Sequence, residues 1–528
     1  MVQRVAIIGG GVGGLASIKC CLDEGLEPTC FERSEDIGGL WRYTDSTDGG
    51  RVTVYRSVIT NTSKEMSCFS DFPFPEDFPN YLPHSLLLEY FRMYAQHFDL
   101  LQHIRFKTTV VSVRKRPDFA ASGQWEVITE TDGVQESHIF DAVMVCTGHY
   151  QEPYLPLASF PGKPCFSSQT CFKGRYLHSQ EYKDAEAFRE KRVLVVGIGN
   201  TGGDLSVELS RVAAKVFVST RSSTWLFSRV SDHGFPLDMV NTTRFKHFLD
   251  WLLPSALMKW IKFRKFNSWF NHANYGLAST KSSYFKVIIN EELPFCLLSG
   301  TVVLKPSVKE FTESSAVFED GTKENIDVVL FATGYISPFP FLEESVRSLF
   351  DNNQTGARTH VFPLQHSGFS ESRAFVFCGA GNRGRKTQFD FLCLFYVPLR
   401  NPTERENLKI NFMSYTDDIA SCAGVKPSVL RLLLTDPRLA LAIFFGPCTP
   451  YQYRLVGRGK WSGAREAILT QWQRTLKPLR TRVVDDSSDS SSGWCWRCLL
   501  ALPAALMVGF LFSKYPRMGW SSQAGSQL

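Results

Sequence analysis

Apolar runs of four residues that stop on glycine set the frame of this chain. Val5-Ala6-Ile7-Ile8 runs into Gly9-Gly10-Gly11-Val12-Gly13-Gly14, and Val193-Leu194-Val195-Val196 runs into Gly197-Ile198-Gly199-Asn200-Thr201-Gly202. A short, continuously apolar run bounded by turn residues predicts a strand buried on both faces. Beyond the first glycines the pattern predicts a helix from Leu15 to Glu24 and a strand over Pro28-Thr29-Cys30-Phe31-Glu32. Beyond the second it predicts a helix from Leu205 to Arg211 and a strand over Val216-Phe217-Val218-Ser219-Thr220. Two more apolar runs, Val143-Met144-Val145-Cys146 and Val328-Val329-Leu330-Phe331-Ala332, end in Thr-Gly. They read as crossings between the two units, or as ordinary strand–turn junctions.

Strand, Gly-x-Gly-x-x-Gly turn and helix is the arrangement that lets a pyrophosphate approach the backbone at a helix N-terminus. Free N–H groups and the positive dipole end favour the anion there. Glu32 stands eighteen residues past Gly14, where a carboxylate accepts hydrogen bonds from ribose hydroxyls. In the second unit the residue at the strand end is Arg221, whose guanidinium suits a 2′-phosphate that a carboxylate would repel. The first unit thus reads as a site for a dinucleotide with a free ribose, and the second as a site for NADPH. The bland readings are a glycine turn that serves only backbone geometry and a surface arginine at a strand end.

Composition narrows the classes. Hydrophobic residues make up 44% of the 528, charged residues 21%, and the net charge is +6, so the chain reads as globular with no clustered basic face for nucleic acid. The 14 cysteines form no zinc-type set, since Cys495 and Cys498 lack a second pair. An opening without a signal-peptide pattern and scattered thiols together predict a reducing, cytosol-facing environment.

Between the crossings lies Phe172-Lys173-Gly174-Arg175-Tyr176-Leu177-His178-Ser179-Gln180-Glu181-Tyr182, which fits Phe-x-Gly-x-x-x-His-x-x-x-Tyr. With both glycine turns, with Gly38-Gly39-Leu40-Trp41, with Asn61-Thr62-Ser63-Lys64-Glu65-Met66 and with Phe331-Ala332-Thr333-Gly334-Tyr335, the chain resembles the flavin-containing monooxygenases. The resemblance covers roughly residues 1–363 and about 414–480. It implies an α/β protein with two Rossmann-type domains, the NADP domain inserted in the FAD domain, and a C-terminal apolar tail. It implies a reaction in which NADPH reduces FAD, the flavin captures O2 as a C4a-hydroperoxide, and a lipophilic amine or sulfide takes the distal oxygen. Carried over residue by residue, it implies that Gly9, Gly10, Gly11, Val12, Gly13, Gly14 and Glu32 bind FAD, and that Leu40 and Trp41 line the flavin. Asn61 would lie beside the flavin and the retained nucleotide as the catalytic residue, flanked by Thr60 and Thr62. Gly197, Gly199, Thr201, Gly202, Gly203, Asp204 and Arg221 would form the NADP side. Without the family, Asn61 is a polar loop residue and His178 reads as a buried, hydrogen-bonded histidine rather than an acid or base.

The implied domains are an FAD part at 1–155, an NADP part at 156–330, a second FAD part at 331–480, a polar linker at 481–493 and a candidate membrane anchor at 494–517. The charge-free stretch Cys498 to Phe512 spans roughly 22 Å as a helix, short of a hydrocarbon core of about 30 Å, and Pro503 interrupts it. Trp494 and Trp496 supply interfacial anchors, and the family implies the endoplasmic reticulum membrane. Residues 244–270 mix six Lys and Arg with Trp251, Trp260, Phe263, Phe266 and Trp269. They read either as a helix on a membrane surface or as an internal helix with solvated charges.

Residues 366–413 depart from the family pattern: Gly379-Ala380-Gly381-Asn382-Arg383-Gly384-Arg385-Lys386 and the apolar Phe389 to Val397 stand where a cofactor-covering helix is expected. Competing readings are a ketone-oxidising (Baeyer–Villiger) monooxygenase, which usually places Trp where Tyr182 stands, a leaky NADPH oxidase, or an inactive membrane-anchored nucleotide-binding protein.

Overall fold

The computed structural model describes residues 3–45, 52–157, 172–221, 223–277, 286–336, 338–351, 361–363, 373–378 and 412–482. Residues 1–479 form one compact unit and 480–528 a second, which is described only through Arg482. The candidate membrane anchor and most of the departing segment lie outside the described residues. Among the described residues no helix is long and apolar enough to cross a membrane.

In chain order, the elements that matter begin with β1 (Arg4–Ile8), α1 (Val12–Asp23), β2 (Glu27–Phe31), α2 (His84–His97), β3 (Ile104–Arg105) and β4 (Ala142–Val145). Next come β5 (Arg175–His178), β6 (Arg192–Val196), α3 (Asn200–Leu209), β7 (Lys215–Ser219), β8 (Thr224–Phe227), α4 (Arg244–Leu252) and α5 (Ser255–Trp269). They are followed by β9 (Lys286–Ile289), β10 (Val302–Lys305), β11 (Val328–Phe331), β12 (Val361–Pro363) and β13 (Arg373–Cys378). Three C-terminal helices are α6 (Val429–Thr435), α7 (Pro437–Phe445) and α8 (Ala464–Leu476).

Two open sheets carry the two glycine turns. The first has the order β12-β13-β4-β1-β2-β3, parallel from β4 to β3 and antiparallel at β12 and β13. The second has the order β10-β7-β6-β11-β5 and is parallel throughout. All strands of the second sheet fall in the chain between β4 and β12.

Both sheets are covered on both faces, which is why their strands are continuously apolar. Val5 and Ile7 of β1 pack with Leu15 and Ile18 of α1, while Ala6 and Ile8 pack with Trp125, Val127 and Phe140 of a small antiparallel sheet. The second half repeats the plan: Val193 and Val195 of β6 meet Leu205 and Leu209 of α3, and Leu194 meets Phe311 and Phe318 of another antiparallel sheet.

The C-terminal helices return to the first sheet. Leu439 and Ile443 of α7 and Ile468 of α8 join the core under α1 and α2. Buried ion pairs fix that return: Arg474 Nη2 lies 2.6 Å from Glu65 Oε2, and Asp71 Oδ2 lies 2.6 Å from Lys19 Nζ and 3.2 Å from Arg454 Nη2. Removing one partner of such a pair costs about 3–5 kcal/mol, because it leaves a buried charge uncompensated.

The predicted strands form in their expected places. The predicted helices also form, but each begins three to five residues earlier, directly at its glycine turn. Residues 244–270 form two helices, not one, broken before Pro254, and α5 buries none of its residues. Within the departing segment, Arg373–Cys378 pairs antiparallel with β4.

Candidate functional site

The first glycine turn is built for contact. Gly9 has φ +105°, and a Cβ there would sit 2.8 Å from the Cys146 carbonyl oxygen. A Cβ on Gly14 would meet the Gly9 oxygen at 2.0 Å. The second turn repeats this nearly to the ångström, with Gly197 at φ +106° against Ala332 O and Gly202 against Gly197 O. Only glycine fits these places, so each helix starts flush against its strand. Neither α1 nor α3 has a side-chain cap, which leaves its first N–H groups for an anion.

Both helix starts open on one cavity of about 640 Å3. Gly9, Gly11, Val12, Gly13, Glu32, Leu40, Trp41, Thr60, Asn61 and Thr62 line it from the first half. Asn200, Thr201 and Asp204 line it from the second, and Cys146, Thr147, Gly148 and Tyr335 come from the crossings. Residues expected at a flavin site and at a nicotinamide site therefore share one space. Gly10, Gly14, Gly197, Gly199, Gly202 and Gly203 are not among the residues that line it. Arg221 is exposed just past the end of β7 and does not line this cavity.

Glu32 is buried and already oriented: the Gly10 N–H donates to Oε2 (2.5 Å), while the Ser34 N–H and hydroxyl donate to Oε1 (2.9 and 2.7 Å). The Cys146 thiol, buried against the same cavity, is pushed up to about 12, chiefly by burial, and stays protonated.

The loop that carries Asn61 is clamped from several sides. The Thr60 N–H donates to Leu82 O, and the Leu82 N–H returns a bond to Thr60 Oγ1, each at 2.9 Å. The Ser63 N–H donates to Asp238 Oδ2 (2.7 Å), and the Lys64 N–H to Asn80 O (2.8 Å). Lys64 is buried, with its ammonium on the carbonyls of Glu76 and Phe78, and burial lowers its pKa to about 8. Arg229 completes the clamp. It is 5% exposed, donates from Nη2 to Asn61 Oδ1 (2.8 Å) and from Nε to Thr60 O (3.3 Å), and pairs through Nη1 with Glu291 (3.0 Å). The Asn61 oxygen is thereby held by a cation, and its amide N–H groups are left as the donors of that side chain.

Arg229, Glu291 and Asp238 escape sequence reading, because none sits in a motif: Arg229 and Asp238 reach the Asn61 loop across 168 and 175 positions, and Glu291 pairs with Arg229 across 62. So does Tyr55, whose hydroxyl donates to Asp204 Oδ2 across 2.7 Å. His178 behaves as its bland reading predicts. It is buried, its Nε2 lies 3.0 Å from Gly334 O, and burial brings its pKa down to about 4.

The sequence matches the model of the flavin-binding monooxygenase-like family over residues 2–369 and 399–514. The interruption falls inside the segment that departs from the pattern. Human dimethylaniline monooxygenase (N-oxide-forming) 4 is 51% identical, with 98% of this chain and 97% of that protein aligned. Human flavin-containing monooxygenase 2 is 48% identical over 99% and 100%. Among solved structures, S-allyl-L-cysteine S-oxygenase from Allium sativum is similar over 65% of each chain, at 25% identity and a TM-score of 0.46. With matches of this extent across both glycine turns, the chain belongs to the flavin-binding monooxygenase-like family.

Proposed function

We infer that this chain is an NADPH- and O2-dependent flavin monooxygenase that oxygenates soft nitrogen and sulfur nucleophiles. The observation that carries the reading is that two uncapped helix starts, each following a glycine turn, open on one cavity. The turns fit a pyrophosphate because glycine at 9, 14, 197 and 202 lets each helix start close against its strand, which leaves uncapped helix N–H groups at the cavity.

In this reading Gly9 to Gly14 hold the FAD pyrophosphate, Glu32 its ribose, and Leu40 and Trp41 its ring system. Gly197, Gly199, Thr201, Gly202, Gly203 and Asp204 would frame NADPH, and Arg221, exposed past the end of β7, would pair with its 2′-phosphate. The NADP-binding part is an insertion in the FAD-binding part, with limits near 156 and 330. FAD held there would supply the redox chemistry, accepting a hydride from NADPH and activating O2 for transfer to an amine nitrogen or a sulfide sulfur.

The chain's own work is positional. Asn61, oriented by Arg229, presents amide donors to the cavity. Val52, Val54, Val58 and Phe341 keep its walls apolar and help exclude water. Neither a protein nucleophile nor a thiolate is required, which agrees with a Cys146 thiol kept protonated. The same reading places the protein at the endoplasmic reticulum membrane with its catalytic part facing the cytosol. The exposed Trp251, Trp260, Phe263 and Trp269 beside the lysines and arginines of α4 and α5 support a membrane-facing surface.

The deciding experiment is the visible spectrum of the purified, detergent-solubilised chain, first with NADPH and then with air and an amine or sulfide. Bound flavin that bleaches with NADPH and then yields oxygenated product in proportion to NADPH supports the reading. Bleaching that yields only hydrogen peroxide indicates an NADPH oxidase. A colourless protein that takes up no added FAD overturns it in favour of an inactive nucleotide-binding protein.

A further inference from the structure

Asp204 stands in the second turn of α3, whose start faces the cavity, yet both its oxygens are engaged by the protein. Tyr55 Oη–H donates to Oδ2 (2.7 Å) and the Asn290 amide donates to Oδ1 (2.8 Å). Asn290 is itself aimed, because its Oδ1 accepts from the N–H groups of Glu292 (3.0 Å) and Leu293 (2.8 Å). One turn along α3, Glu208 Oε2 accepts from the Ser57 hydroxyl (2.5 Å). The Arg56 N–H donates to Lys183 O (3.1 Å), and Lys183 Nζ donates to Thr53 Oγ1 (2.7 Å). Residues 53–57 of the first half are thus stitched to the second half at four places. Thr53, Val54 and Tyr55 of this strap also form cavity wall, next to Thr201. The Tyr55 ring meets Tyr182 edge-on, with centroids 6.2 Å apart at 74°.

A bare carboxylate this near a helix start would repel the phosphates that the helix start attracts. Two directed donors spread its charge and turn it into a fastening.

We propose that Tyr55 is a positioning residue for the second nucleotide, and that Asp204, itself part of the cavity wall and aimed by Asn290, serves that nucleotide by holding Tyr55 in place. The inference rests on the NADPH reading and assigns this part of its site. With the fastening closed, the strap holds the cavity wall against α3 and retains the oxidised nucleotide. With it open, the nucleotide would leave sooner and more of the NADPH and O2 consumed would end as hydrogen peroxide instead of oxygenated product.

The test uses the full chain loaded with FAD. Tyr55→Phe keeps the ring and removes the donor. Loss of one hydrogen bond to a charged group is expected to raise the NADP+ dissociation constant about tenfold, read by titration of the flavin spectrum. FAD content should stay unchanged, and KM for NADPH should rise by a larger factor than kcat falls. Asp204→Asn should weaken NADP+ similarly, and the double variant should be close to either single one, because the two changes remove the same bond. An unchanged dissociation constant in Tyr55→Phe, or fully additive losses in the double variant, would overturn the proposal. If Asp204→Asn does not fold, Tyr55→Phe decides alone. A wild-type chain that binds no NADP+ would remove the NADPH reading itself, whereas normal binding by both wild type and Tyr55→Phe removes only the fastening.

Discussion

Arg229 donates to Asn61 Oδ1 over 2.8 Å while its other nitrogens grip Glu291 and the Thr60 carbonyl. The asparagine that the family pattern marks as catalytic is therefore oriented by a buried cation 168 positions further along the chain. Arg229→Met removes all three contacts and leaves Asn61 free to turn. Oxygenated product per NADPH should fall by about tenfold, corresponding to one charge-assisted hydrogen bond. Product and hydrogen peroxide measured on the same sample check this; an unchanged ratio would show that Asn61 needs no such hold.

The crowding at the first glycine turn predicts a loss of flavin. Gly14→Ala would place a methyl carbon 2.0 Å from Gly9 O, and Gly9→Ala would add a clash to a left-handed backbone. At Gly14 the helix start must shift to relieve the contact, and at Gly9 the left-handed backbone adds strain of about 1–3 kcal/mol. The flavin-to-protein absorbance ratio should drop for both variants while the far-ultraviolet circular dichroism stays near wild type. Full flavin content in Gly14→Ala would argue against the first turn as the FAD cradle.

Arg221 is exposed at the end of β7, so its removal should cost little stability. As a partner of a 2′-phosphate it should matter only for NADPH. Arg221→Ala is expected to raise KM for NADPH about tenfold more than KM for NADH. Equal changes for the two nucleotides would take the role away.

His178 titrates at about 4 in the folded protein, because burial disfavours its charged form, against 6.5 for a free histidine. Its folded pKa is depressed, so between these values the unfolded chain binds the extra proton. The stabilising contribution of His178 is complete above pH 6.5 and is lost as pH falls towards 4. The melting temperature of wild type should decline more steeply over that window than that of His178→Gln. Parallel declines would indicate a histidine that charges freely in the fold.

Much of this protein was set by the sequence alone. The buried strands, the two glycine turns and the helices that follow them are local patterns: apolar runs of strand length, and glycines where no Cβ fits. Phe172 to Tyr182 and the segment from Asn61 to Met66 carried the family in the same local way. Residues 244–270 stayed ambiguous between two surfaces because α5 has no strongly one-sided pattern, and the fold leaves all its residues unburied.

The tertiary structure alone decided which polar groups meet. Arg229 reaches Asn61, Tyr55 reaches Asp204, and Arg474 reaches Glu65 across 168, 149 and 409 positions. A buried charge needs a partner wherever packing supplies one. That demand has no period and no fixed spacing, so it leaves no mark on the chain until the two halves have folded around one cavity.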